Sequence, residues 1–217
     1  MRTPMLICAV VVVSGCASKP ETPPPTAAYA GKPLAVFIHA APDFAAITWS
    51  RTMMNGAVEA GLDSVAEGNS LVAEFEVPDP SPSIAAELGA SLSASLKVAP
   101  RAAVRTGVLD VKPGGDGLVL DVATESWMFT YVPTDAAHYQ VKYMGHARLY
   151  DAATGGDLAD VPCRWESYDK DAPSYDELLA GRAALLKDML AAAAKDCAAS
   201  YEKAFLAAPA LQQPPAQ

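Results

Sequence analysis

The chain has 217 residues, a formal net charge of −9 and four cysteines. An acidic balance of this size argues against nucleic acid and against a polybasic grip on anionic lipid. With 51% hydrophobic residues the chain can bury one sizeable core, and no 20-residue apolar stretch is available to cross a bilayer.

The chain opens on Met1-Arg2, and Met5 to Val13 is continuously apolar. That length suits the core of a secretory signal and is too short for a membrane span. It ends in Val13-Ser14-Gly15-Cys16, which resembles the lipobox of bacterial lipoproteins. The resemblance implies a diacylglyceryl group on the Cys16 sulfur, cleavage before Cys16 and acylation of the new amine. Lipid on Cys16 would then be the membrane partner. Each buried methylene contributes about 0.8 kcal/mol, so several chains anchor firmly without a transmembrane helix. In enterobacterial lipoproteins an Asp after the lipidated Cys favours inner-membrane retention. Ala17 stands there, which leans the expectation toward the outer membrane. The expected division is a signal over 1–15, a lipidated tether over 16–33, one domain over 34–206 and a disordered tail over 207–217. The tether SKPETPPPTAAYAGK and the tail LAAPALQQPPAQ are both rich in Pro and Ala.

Leu34 to Ile38, LAVFI, reads as a buried strand. Pro42-Asp43 breaks it, and a helix is expected from Phe44 to about Ala60. Leu71 to Val77, LVAEFEV, alternates as a second strand. Pro78, Pro80 and Pro82 mark a helix start, and Ile84, Leu88, Leu92 and Leu96 recur on one helical face. From Val104 the pattern becomes antiparallel sheet. Val108 to Val111 is a short strand, and Gly114-Gly115-Asp116-Gly117 is a turn. Leu118, Leu120 and Val122 share a face, but Trp127, Phe129 and Tyr131 have the opposite parity, which predicts a bulge near Glu125-Ser126. Tyr139, Val141, Tyr143, Ala147 and Leu149 alternate against Gln140, Lys142, His146 and Arg148. Asp151 to Asp157 closes a hairpin onto Leu158 to Trp165. Ser174 to Glu177 forms a capping box for a helix from Tyr175 to about Phe205. The fold class is α/β (α+β), a single domain in which helices pack on an antiparallel sheet.

Trp127-x-Phe129-x-Tyr131-x-Pro133, Tyr139-x-Val141-x-Tyr143, Arg148-Leu149-x-Asp151 and Ala172-Pro173-Ser174-Tyr175-Asp176-Glu177-Leu178-Leu179 cover the second half of the chain. In these segments it resembles a group of uncharacterised proteobacterial lipoproteins, from which no activity carries over. Strands and helices behind a lipid anchor also look like the auxiliary lipoproteins of envelope export and lipid-transport machines. That likeness is one of architecture, which does not imply function.

Cys8 lies in the signal and Cys16 carries lipid, so Cys163 and Cys197 are expected to pair in an oxidising compartment. They lack the C-x-x-C spacing of a redox or zinc pair. His39, His138 and His146 show no metal-site spacing and read as solvated or hydrogen-bonded side chains. Asp157-Leu158-Ala159-Asp160 and Asp169-Lys170-Asp171 lack the oxygen spacing of an EF-hand. No metal, cofactor or catalytic constellation is therefore expected, and G-x-S-x-G is absent. Trp127, Phe129, Tyr131, Tyr139 and Tyr143 form an aromatic cluster that reads as core or, alternatively, as a binding surface. Two functions follow. The first is a non-enzymatic accessory lipoprotein that holds an envelope protein partner. The alternative is a periplasmic small-ligand or lipid binder, or a hydrolase, whose residues converge only in the fold. A deep polar pocket containing His39 or His138 would favour the alternative.

Overall fold

The apolar alternation of PLAVFIH produces β1, Pro33–His39, an interior strand of a sheet that has seven strands among the described residues. The computed structural model describes residues 28–106, 115–167 and 172–212. The lipobox, Cys16, the expected strand Val108 to Val111 and Asp169 to Asp171 lie outside them. After β1 come β2 (Ala45–Ile47), the helices α1 (Trp49–Phe75) and α2 (Ser81–Leu96), and short strands β3 (Ala99–Pro100) and β4 (Val104–Thr106). The long strands β5 (Leu118–Val132), β6 (Asp135–Asp151) and β7 (Asp157–Glu166) follow, then α3 (Tyr175–Leu206) and α4 (Pro209–Gln212).

β5, β6 and β7 form an antiparallel meander, as the alternating sequence requires. The first half adds parallel pairing: β1 runs parallel to β3, β4 and β5, and β2 runs parallel to β5. The expected antiparallel character from Val104 therefore begins only at β5. The predicted bulge is present, as the register shifts between Thr124 and Ser126. It turns Trp127 and Phe129 onto the same buried face as Leu118, Leu120 and Val122. From β6, Tyr139, Val141, Tyr143, Ala147 and Leu149 join that face. Gly145 leaves room there for the Tyr143 ring, since a Cβ at that position would lie 2.4 Å from the Tyr143 hydroxyl oxygen.

Apolar residues of α1, α2 and α3 share one continuous core with this face. Ile84, Leu88, Leu92 and Leu96 are buried along α2, as their spacing predicts. LVAEFEV is corrected by the structure, because Leu71 to Phe75 is the last turn of α1 and not a strand. Leu71, Val72 and Phe75 satisfy helical spacing as well as alternation, and tertiary packing selects the helix. The helix expected from Phe44 likewise begins only at Trp49, after β2. A Cβ on Gly68 of α1 would fall 2.0 Å from the Phe44 carbonyl oxygen and 3.0 Å from the Ala46 nitrogen. These are backbone atoms that cannot turn aside. Gly68→Ala should therefore cost about 1–3 kcal/mol through overpacking. Gly61→Ala, with nothing within 4 Å of the new Cβ, should be neutral or slightly stabilising. Urea unfolding of the two variants measures the difference.

Ser174 caps α3 in a reciprocal capping box with Glu177, as predicted. The helix is interrupted at Ala180 to Ala183, where Gly181, Arg182 and Ala183 take left-handed angles. Gly181 adopts them without a steric penalty, and the Arg182 guanidinium donates to the Glu74 carbonyl just across from the break. Tyr29, expected in the tether, packs on the core and donates its hydroxyl to Asp151 at 2.9 Å. Leu211, expected in the tail, is a residue of α4 and 2% exposed.

Candidate functional site

Two irregularities meet at one place in the sheet. β1 pairs with Leu118 to Val122 of β5 and β2 pairs with Met128 to Thr130, so both strands flank the same side of β5. Between them the chain leaves the ladder at Ala40 to Phe44. Pro42 contributes to the break because it has no N–H to give a sheet. Its carbonyl accepts the Trp127 indole N–H at 2.8 Å, and Asn69 of α1 bonds both the Phe44 N–H and the Asp43 carboxylate. The bulge at Glu125 lies directly beside the break. Bulges re-aim side chains and end pairing in this way.

The result is a half-open cavity of about 580 Å³, lined by His39, Asp121, Glu125, His146 and Arg148 with the apolar Ala40, Pro42 and Ala123. It opens on the sheet face opposite the core, because Asp121 alternates with Leu120 and Val122, and His146 and Arg148 alternate with Ala147. Cross-strand pairing sets the order of the polar groups: Asp121 lies opposite Arg148, Ala123 opposite His146, and Arg148 opposite Asp160.

At the floor, His39 Nε2 and Asp121 Oδ1 are 2.5 Å apart, and both residues are buried. With Asp121 ionised, Nε2–H donates. The other ring nitrogen, Nδ1, is also buried and has no hydrogen-bond partner among the described residues. Burial raises the Asp121 carboxyl above its ordinary range, and the opposing pull of His39, Arg148 and His146 does not bring it back. At the rim, the Arg148 guanidinium holds Asp157 at 3.0 Å and lies 3.5 Å from Asp160. His146 Nε2 also bonds Asp160.

The sequence-predicted residues sort clearly. His39, read as solvated or hydrogen-bonded, is buried and hydrogen-bonded to Asp121. His146 joins it at the cavity, whereas His138 lies at the far end of β6, exposed and 2.7 Å from Asp135. Asp157 and Asp160 are strand residues engaged by Arg148 and His146. Of the aromatic cluster, four members face the core. Trp127, Phe129, Tyr139 and Tyr143 are buried, and only Tyr131 is half-buried, edge-on to Trp49. Alternate aromatics on paired strands bury more area inward than any exposed arrangement would. Cys163 and Cys197 form a disulfide joining β7 to α3, with their Cα atoms 5.7 Å apart. Among the described residues no three His, Cys, Asp or Glu side chains converge as a metal site, and no helix is long and apolar enough to cross a membrane.

Asp121 is the residue that sequence reasoning missed. A single carboxylate inside the apolar run LVLDVA must find a partner if the strand is buried, which is the signal that could have singled it out. The lining offers an imidazole paired with a carboxylate, an arrangement able to hold or move a proton at nitrogen. The one hydroxyl in the lining, that of Thr124, is bonded to Asp79 and lies 3.3 Å from the Tyr143 hydroxyl.

No protein-family model matches the chain, and no curated protein is similar to it in sequence. Solved structures to which it is similar include protein XCC0632 of Xanthomonas campestris, at 12% identity and a TM-score of 0.38, over 85% of this chain and 90% of that one. Lipoprotein GNA1162 of Neisseria meningitidis is similar at 13% identity and a TM-score of 0.24, over 76% and 99% of the respective chains.

Proposed function

We propose that this chain is a lipid-anchored protein of the bacterial cell envelope that acts by binding, as an accessory component holding a partner at the membrane. The Cys163–Cys197 disulfide carries the reading, because such bridges persist in oxidising compartments and are rare in the cytosol. The Val13-Ser14-Gly15-Cys16 motif supplies the anchor, and Ala17 favours the outer membrane over the inner. The face of the sheet away from the helices is the natural binding surface, since the aromatic cluster is spent on the core. A second reading, a small-ligand binder, is favoured by the cavity containing His39. The two readings share that face.

Anchoring is tested by radiolabelled palmitate in cells expressing the full chain. The wild type should incorporate label and sediment with membranes. Cys16→Ser should lose the label and leave the membrane fraction. An unlabelled wild type would overturn the anchor. Crosslinking in intact envelopes followed by purification should recover one specific protein, and repeated recovery of none would overturn the accessory role.

A further inference from the structure

The groups in and around the cavity do not balance. Asp121 and Glu125 line it, and Asp157 and Asp160 of β7, next to the lining, hold its Arg148. Against these four carboxylates the cavity sets one guanidinium, Arg148, which is already held by Asp157 and Asp160. Protonating both His39 and His146 would still leave one negative charge in excess. The buried Asp121 has one oxygen on His39, and the positive groups around it do not offset its loss of solvent. An incoming cation would supply what this carboxylate lacks. Glu125 is exposed, stands on the bulge and lines the same cavity. The acidic net charge of the whole chain would attract the same ligand from a distance.

We infer that the cavity at the β1–β2 break receives a cationic nitrogen group, an ammonium or guanidinium on a short aliphatic stem, with Asp121 and Glu125 as its counter-charges. The volume falls in the range of small-molecule sites and exceeds what a bare ammonium fills. Ala40, Pro42 and Ala123 provide apolar wall for the stem. A free amine and a Lys or Arg side chain presented by a protein partner share this chemistry. The inference rests on the reading that this face is the binding surface, and it is independent of the lipid anchor.

Calorimetric titration of the full chain in non-ionic detergent tests it. The probes are 1,4-diaminobutane, a blocked lysine-containing tripeptide, glutarate and 1-pentanol. Saturable binding is expected for the two cations, with none for glutarate or the alcohol. Asp121→Asn should weaken cation binding at least tenfold. Glu125→Gln, on the exposed rim where it leaves the fold intact, should weaken it severalfold. Tripeptide binding at least tenfold tighter than the diamine assigns the cation to a polypeptide, and the reverse order assigns it to a free amine. The inference is overturned if neither cation binds saturably, if glutarate binds as well, or if both substitutions leave affinity unchanged. Failure of both cations to bind, with a partner still crosslinked, would remove the inference and spare the accessory role. Amine binding without any envelope partner would do the opposite.

Discussion

Replacing Cys163 and Cys197 together by alanine should lower the free energy of unfolding by about 3–4 kcal/mol, the value chain entropy gives for this loop length. The bridge closes a loop of 34 positions between β7 and α3. It also sits where the sheet is least protected. Among the described residues β7 is the last strand of the sheet, paired on one side only, and side chains attach it to α3. The Trp165 indole N–H donates to Asp196 at 2.9 Å, one residue before Cys197. The break at Ala180 to Ala183 separates the first turn of α3 from its longer remainder. That remainder, with buried Leu186, Leu190, Ala193, Ala194, Cys197, Tyr201 and Phe205, holds to the sheet by packing and by this one covalent link. Urea unfolding of the double variant, compared with wild type under dithiothreitol, makes the measurement. Both should shift to lower midpoint by the same amount. A loss under about 1 kcal/mol would show that the denatured chain retains structure across the loop, and would remove the chain-entropy account.

The antiparallel half of the fold was legible in the sequence because its determinants are local. The parity change between Leu118-Leu120-Val122 and Trp127-Phe129-Tyr131 announces a bulge, since one extra residue restores a single buried face. Ser174 and Glu177 announce a helix start in four residues. The parallel half was not legible, for the same reason inverted. β1 was recognised as a buried strand, but its partner Leu118 to Val122 lies some 80 residues away, and nothing in LAVFI names it. LVAEFEV fits helical spacing as well as alternation, and the core that Leu71, Val72 and Phe75 pack into is built by other elements. The cavity failed to appear for both reasons together. His39 and Asp121 are 82 positions apart, and each on its own reads as an ordinary strand residue. In the tail, Leu211 was an apolar residue among Pro, Ala and Gln, and composition outweighed it.

Phe129→Ala should cost about 3–5 kcal/mol, as large as any single substitution in this core. Phe129 is fully buried, and its ring centroid lies 5.9 Å from that of Phe44, 5.7 Å from Tyr139 and 5.9 Å from Tyr175, all edge-on. These partners come from the β1–β2 break, from β6 and from the first turn of α3. One ring therefore joins three separate parts of the molecule, and a cavity left in its place has rigid walls on every side. Tyr131, two residues along the same strand, provides the internal control. It is half-buried and packs edge-on against Trp49, itself 41% exposed, so water can fill the space it leaves. Tyr131→Ala should cost about 1–2 kcal/mol, well below its neighbour, because a site open to solvent leaves no sealed void. Phe129→Leu, which keeps most of the volume, should recover more than half of the loss. Midpoints and slopes from urea unfolding of the three variants separate these cases. If Phe129→Ala and Tyr131→Ala cost the same, the division of the aromatic cluster between sealed core and solvent-open edge is wrong. The larger loss at Phe129 would instead fix the break beside it as a rigid frame. Phe44, which packs on both Phe129 and Trp127, would then hold Ala40 to Pro42 in place. On that frame the position of His39 over Asp121 depends on aromatic packing from the opposite side of the sheet.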